Sequence, residues 1–289
     1  MSAGLSAGDG FRGKVAVVTG AGSGIGRALT LELARRGAAT AASDVNEPGL
    51  AHTRELVTAL GAEVHCATVD VADRDALLAY ADDVSGHFGA VHQIYNNAGI
   101  AGAGSTTLDS DWDHYDRVIA INLFGVINGT KAFLPYLIAS GDGHVINISS
   151  LNGYLAQPTL TAYCASKFGV RGFTEALRTE ILAARHPVKV TTVHPGGVKT
   201  GIASGNLADA SARGVDLTAA QRKRVDFYNR RLLRMLPSDA ANIILDGVAA
   251  GSPRIRVGRD AQVLDYAVRL FPELYPRVVA TLDRRVFGA

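Results

Sequence analysis

The stretch KVAVVTGAGSGIG, residues 14–26, decides the fold. Lys14 to Thr19 is a continuous run rich in β-branched residues that stops at glycines, as strands buried on both faces do. Ile25, Leu29 and Leu33 then share one helical face, with Gly37 as the stop. Working outward, the couplet recurs: strand 39–43 with helix 49–60, strand 63–69 with helix 74–87, and strand 91–95 with two helices through Ile138. Strand 144–149, helix 161–184 and strand 188–194 complete the series. Strands alternating with helices of this length imply right-handed crossovers. The expected fold is therefore α/β, a single-domain doubly wound parallel sheet of about seven strands with helices on both faces.

Composition narrows the function classes. The chain has 289 residues, 29 basic against 27 acidic, 47% hydrophobic and 19% charged. Such a chain is too apolar to be disordered. Near-balanced charge with no basic block leaves no footprint for nucleic acid. Two cysteines, Cys66 and Cys164, cannot build a disulfide framework or a cysteine-rich zinc site, and the histidines show no metal-ligand spacing. No metal is expected, and a reducing, cytoplasmic compartment is. The start, MSAGLSAGDG, lacks the apolar core of a secretory signal, and no run of about 18 uncharged apolar residues suggests a membrane span. Residues 1–10 read as a flexible tail and 11–289 as one catalytic domain.

In the turn after the first strand, Gly20, Gly24 and Gly26 suit a tight bend, close backbone approach and close helix-to-strand packing, with Ser23 and Ile25 between them. The helix that opens there offers free N–H groups and a positive dipole end to a pyrophosphate. The second strand ends in Asp44, where a carboxylate would bind both ribose hydroxyls and repel a 2′-phosphate. Val45 and Asn46 follow, so no adjacent arginine rescues that phosphate. The cofactor expected is NAD. In the alternative, Asp44 caps the next helix.

These spacings resemble the short-chain dehydrogenase/reductase family, classical type, whose fold is Rossmann-like. The resemblance rests on the TGxxxGxG glycines, Asn96-Asn97-Ala98-Gly99, Asn122, Ser150, Tyr163 with Lys167, and Pro195-Gly196-Gly197-Val198-Lys199-Thr200. It runs from about Lys14 to Thr200, with every landmark in order; beyond Thr200 no fingerprint remains. It implies that Asn122, Ser150, Tyr163 and Lys167 are catalytic, Asn122 anchoring a water that links Lys167 to solvent. It also implies cofactor contacts by Asp70 with Val71, by Asn97, Ala98 and Gly99, by Tyr163 and Lys167, and by Pro195, Gly196, Val198 and Thr200. Asp70 as a helix cap, and Asn97 as a strand tie, remain open beside those roles.

The residue types suit the chemistry. Hydride transfer between an alcohol and a nicotinamide needs a group that takes or gives the hydroxyl proton. A tyrosine with a pKa near ~10 is a poor base. Lys167 lies one helical turn on, where its charge would favour tyrosinate. Ser150 can hold the substrate oxygen, and Asn152, Leu155 and Tyr163 join it as expected substrate contacts. Leu151, Tyr154 and Pro158 extend a largely apolar wall, so the expected substrate is a lipophilic secondary alcohol or ketone, steroid-, terpenoid-, retinoid- or aliphatic-like.

Residues 201–236 mix arginines with Leu207, Val225, Phe227, Tyr228, Leu232, Leu233 and Met235 and read as a substrate-covering lid, or else as an anion site. In the extension 259–289, Leu264, Ala267, Val268, Phe271 and Leu274 keep helical spacing that Pro272 and Pro276 interrupt. It suits a subunit contact, a second cover over the cleft, or peripheral rest on a membrane surface. The resemblance implies a homodimer or homotetramer. Two other functions compete: an NADP-dependent carbonyl or 3-oxoacyl reductase, and a nicotinamide-binding regulatory protein without turnover.

Overall fold

The computed structural model describes residues 10–101, 105–201 and 218–288. The expected tail before residue 10 and residues 202–217 of the expected lid, Leu207 and Arg213 included, lie outside the described residues. Seven parallel strands form one sheet in the order β3-β2-β1-β4-β5-β6-β7. They are β1 (Val15–Thr19), β2 (Ala39–Asp44), β3 (Val64–Thr68), β4 (Gln93–Asn96), β5 (Gly143–Ile148), β6 (Val188–Pro195) and β7 (Arg254–Val257). The strand order reverses between β1 and β4, which opens a crevice at their carboxyl ends where ligands of such sheets bind.

Ten helices alternate with the strands among the described residues. On one face, α1 (Gly24–Arg35), α2 (Glu47–Ala59) and α8 (Pro237–Ala249) bury Leu29, Leu33, Leu50, Ile244 and Leu245 against Ala16 and Val18 of β1. On the other, α3 (Arg74–Phe88), α5 (Gly125–Ala139) and α6 (Thr161–Ala184) bury Leu77, Phe133 and Leu177 against Val17 and Ile94. Successive β1 residues thus feed opposite cores, as the uninterrupted apolar run requires. The remaining helices are α4 (Trp112–Ile119), α7 (Ala219–Phe227), α9 (Arg259–Leu270) and α10 (Tyr275–Phe287).

Beyond shifts of one or two residues at strand ends, three features of the helices differ from expectation. α2 begins at Glu47, not Gly49, because the Asn46 side chain accepts from the Gly49 N–H and Pro48 suits a first turn. The two helices expected before Ile138 are joined through a π-helical turn, Ala120–Phe124. That combined run is long and apolar enough to cross a membrane by composition, yet its buried positions are those of a core helix. Pro276 starts α10 rather than interrupting a helix.

Candidate active site

At the β1–α1 turn, Gly20 and Gly24 have φ of +67° and +52°, the left-handed region that favours glycine. A Cβ on Gly20 would lie 2.8 Å from Ala98 Cα, and one on Gly26 would collide with the Gly20 carbonyl. Ser23 makes no side-chain cap hydrogen bond, so α1 offers an anion an uncapped amino end. Ile25 packs on the core instead. Gly24 faces Thr200, whose Cγ2 would stand 3.2 Å from a Cβ there. The loop after β6 therefore closes over the glycine turn.

The Asp44 carboxylate accepts the Gly22 N–H at 2.8 Å and the Asn46 N–H at 2.9 Å. Since Asn46 caps α2, the alternative reading of Asp44 as cap is corrected. Asp70 is not the cap of α3 either; Asp73 takes that place, while Asp70 accepts the Ala72 N–H. Val71 is buried, and its carbonyl accepts from Asn128. Asn97 ties the two central strands: its Nδ2 donates to the Thr19 carbonyl at 2.9 Å, and Thr19 Oγ1 accepts the N–H groups of Asn97 and Ala98. These residues form a cradle with an open helix end and an aimed carboxylate, which fits a dinucleotide.

Across the crevice, Ser150 follows β5 and Tyr163 and Lys167 lie on α6. The Ser150 hydroxyl stands beside the Tyr163 phenol and favours its ionised form. Lys167 Nζ lies 5.8 Å from the Tyr163 ring centre and donates to the Ile148 carbonyl at 3.0 Å. A Cβ on Gly99 would stand 3.1 Å from Asn122 Oδ1 and 3.4 Å from Lys167 Nζ, so the four expected catalytic residues and Gly99 converge.

A sequence model of the family described as short chain dehydrogenase matches residues 14–210. The chain belongs to the short chain dehydrogenase family. SadH of Mycobacterium tuberculosis is 54% identical over 271 residues, 93% of this chain and 95% of that one. Cyclohexanol dehydrogenase of an Acinetobacter strain is 34% identical over 190 residues, 66% of this chain and 75% of its own. The structure of a short chain dehydrogenase/reductase from Burkholderia phymatum in complex with NAD has a TM-score of 0.85 at 31% identity. The overlap spans 91% of this chain and 95% of that one. The chain is an oxidoreductase of this family.

In this short chain dehydrogenase, the electrostatics correct one expectation. The Tyr163 phenol is raised above its ordinary range, because burial outweighs the neighbouring Ser150 hydroxyl. Lys167 itself is 3% exposed, and burial pushes its ammonium down to about 8. Its Nζ sits over the ring face, and the same desolvation that weakens the ammonium dominates the phenol.

Several of the expected site residues have partners within the protein. The Asn122 side chain is committed: Oδ1 accepts the Ile100 N–H, and Nδ2 donates to the Ile100 carbonyl and Ser166 Oγ. Asn152, expected at the substrate, is buried and donates to the Leu155 carbonyl and to Gln157, so its amide braces the loop. Leu155 and Tyr154 are buried too, and the Tyr154 hydroxyl donates to the Ala261 carbonyl at 2.6 Å. Sequence reasoning missed His194, fully buried, whose Nδ1–H donates to the Ser150 carbonyl at 2.8 Å. Its place at the end of β6, level with the serine turn after β5, was the available signal.

Proposed function

We propose that this oxidoreductase is an NAD-dependent dehydrogenase of a lipophilic secondary alcohol, or a reductase of the matching ketone, with Tyr163 as general acid/base. The observation that carries the reading is the neighbouring Ser150 and Tyr163 side chains beside Lys167, facing a glycine cradle that ends in Asp44. Gly20, Ser23, Gly24 and Gly26 would hold the pyrophosphate, Asp44 the adenosine ribose, and Val198 and Thr200 the carboxamide. When bound, NAD supplies the hydride acceptor. Ser150 orients the substrate oxygen, Tyr163 takes its proton in oxidation and returns it in reduction, and the Lys167 ammonium keeps a positive charge against the phenol ring.

The cyclohexanol dehydrogenase relative and the NAD-bound neighbour support the substrate and cofactor classes. So does the described part of the lid, where Val225, Phe227, Tyr228 and Met235 are half-buried while Arg222, Lys223, Arg230 and Arg231 are exposed. Asp44 disfavours the NADP-dependent alternative.

We also read the chain as one domain and a homo-oligomer. Val263, Tyr266, Leu270, Phe271 and Leu274 are all more than half exposed along α9 and its link to α10, which favours a subunit contact. Free Cys66 and Cys164 fit the cytoplasm.

The test is nicotinamide reduction by purified protein over a panel of lipophilic secondary alcohols, with NAD and NADP in parallel. Signal with NAD on bulky apolar alcohols is expected. Signal mainly with NADP overturns the cofactor assignment, and silence with NAD bound favours a regulatory protein.

A further inference from the structure

Two neighbouring residues in the first turn of α9 reach the two loops that carry the site. Asp260 Oδ2 accepts the Gly197 N–H at 2.7 Å. A Cβ on Gly196 or Gly258 would collide with the same carboxylate, so it fills a notch that glycines leave open. On the loop's other side, the Gly197 carbonyl accepts the N–H groups of Arg234 and Met235, and the Lys199 N–H donates to the Met235 carbonyl at 2.8 Å. The segment that carries Val198 and Thr200 is thereby held from both flanks.

One residue on from Asp260, the Ala261 carbonyl accepts the Tyr154 hydroxyl. The Tyr154 ring packs against His194, centroids 5.2 Å apart, and His194 holds the Ser150 carbonyl. Asp265, 2% exposed, anchors the helix to β7 through Arg254 at 2.7 Å and Arg256 at 3.3 Å, and binds Arg269 of its own helix. An acid in a first helical turn commonly does no more than complement the helix dipole. That role asks for no bond to Gly197 and no glycine notch.

We infer that the first turn of α9 sets the spacing between the two walls of the site. Asp260 is a positioning residue for Val198 and Thr200, and Tyr154, through His194, is a positioning residue for Ser150. The inference rests on the dehydrogenase reading above. It makes cofactor affinity and the chemical step separable from one helical turn, each through its own hydrogen bond.

The full chain is compared with Asp260→Ala, Asp260→Asn and Tyr154→Phe by NAD titration, steady-state kinetics on an accepted alcohol, and melting temperature. Asp260→Ala is expected to raise the NAD dissociation constant about ten-fold with kcat little changed, the scale of one hydrogen bond to a charged group. Asp260→Asn keeps an oxygen acceptor for Gly197 and is expected to recover most of that loss. Tyr154→Phe is expected to lower kcat about ten-fold with NAD affinity held within about two-fold. If Asp260→Ala does not fold, Asp260→Glu replaces it: the longer side chain overfills the notch, and the same affinity loss is required. NAD affinity unmoved in Asp260→Ala, asparagine no better than alanine, or Tyr154→Phe weakening NAD as much as kcat each overturns the inference. A wild-type chain that binds no NAD overturns the dehydrogenase reading beneath it, whereas an active wild type matched by all variants overturns the positioning roles alone.

Discussion

Gly22 and Asp44 are joined by a 2.8 Å hydrogen bond from backbone N–H to carboxylate, so the glycine turn itself aims the acid that would meet the ribose. Asp44→Ala should therefore lower kcat/KM for NAD and raise it for NADP. The ratio of the two should move about ten- to a hundred-fold, as loss of a charge-assisted hydrogen bond and of a repulsion predicts. Kinetics with both cofactors check this, and an unmoved ratio removes Asp44 from cofactor choice.

Tyr163→Phe deletes the proton carrier while leaving the ring that Lys167 faces. Turnover should fall by at least about a hundred-fold, with NAD affinity largely kept. Single-turnover kinetics beside a binding titration separate the two. Retained turnover would exclude Tyr163 as the acid/base.

Lys167 should cost stability as well as enable chemistry. Among the described residues no ion pair compensates its buried ammonium, which burial lowers to about 8 from 10.5. Between those pH values the unfolded chain holds a proton that the native chain has released, so wild-type stability rises with pH across the window. Below pH 8 the native protein carries the full penalty. Lys167→Met should thus melt a few degrees higher than wild type at pH 7, with the gain closing by about pH 10.5. The unpaired Ile148 carbonyl offsets part of it. Calorimetry across that range decides the matter, and a gain that grows with pH contradicts it.

His194 and His144 should make the protein acid-sensitive. Burial lowers His194 to about 4 and His144 to about 3, from 6.5. As pH falls below 6.5 the unfolded chain takes up protons that the native one refuses. Stability is therefore lost toward pH 4, on the order of a few kcal/mol between them. Urea unfolding at pH 7, 6 and 5 should show the slope, and a variant with both changed to asparagine should flatten it. Equal slopes in the two proteins would count against these histidines as its source.

The cradle and the Ser150, Tyr163 and Lys167 set were legible because each is a local pattern: a glycine turn after an apolar run, a strand end, two positions on one helical face. The Asp44 carboxylate was legible from its place at a strand end, although the glycine N–H that aims it was not. The roles of Tyr154, Asp260 and His194 were hidden for a different reason. The Tyr154–Ala261 bond spans 107 positions, and nothing in the spacing of either segment announces it. The bonds of Asn152 were hidden too, because loop closure at Leu155 and Gln157 uses donors that its place in the sequence leaves open. At Tyr163 the helix spacing carries the nearness of Lys167, while depth of burial depends on the whole surround.

The π-helical turn at Ala120–Phe124 holds one more residue than an ordinary turn of the long helix. Such a turn is equivalent to one extra residue in an α-helix, and each residue advances the helix by about 100°. Deleting a single residue there would let regular hydrogen bonding run through. Because the π turn takes up that residue in one wider turn, Val118 of α4 would keep its phase relative to Phe133 and Leu137 of α5, whereas a deletion in the regular part of either helix would rotate them about 100° apart. A change of length is therefore tolerable in register at the π turn alone, whereas elsewhere along the run it puts the two halves out of step. The side chain held at the seam is Asn122, so any insertion or deletion tolerated by the fold there would still displace the residue beside Lys167.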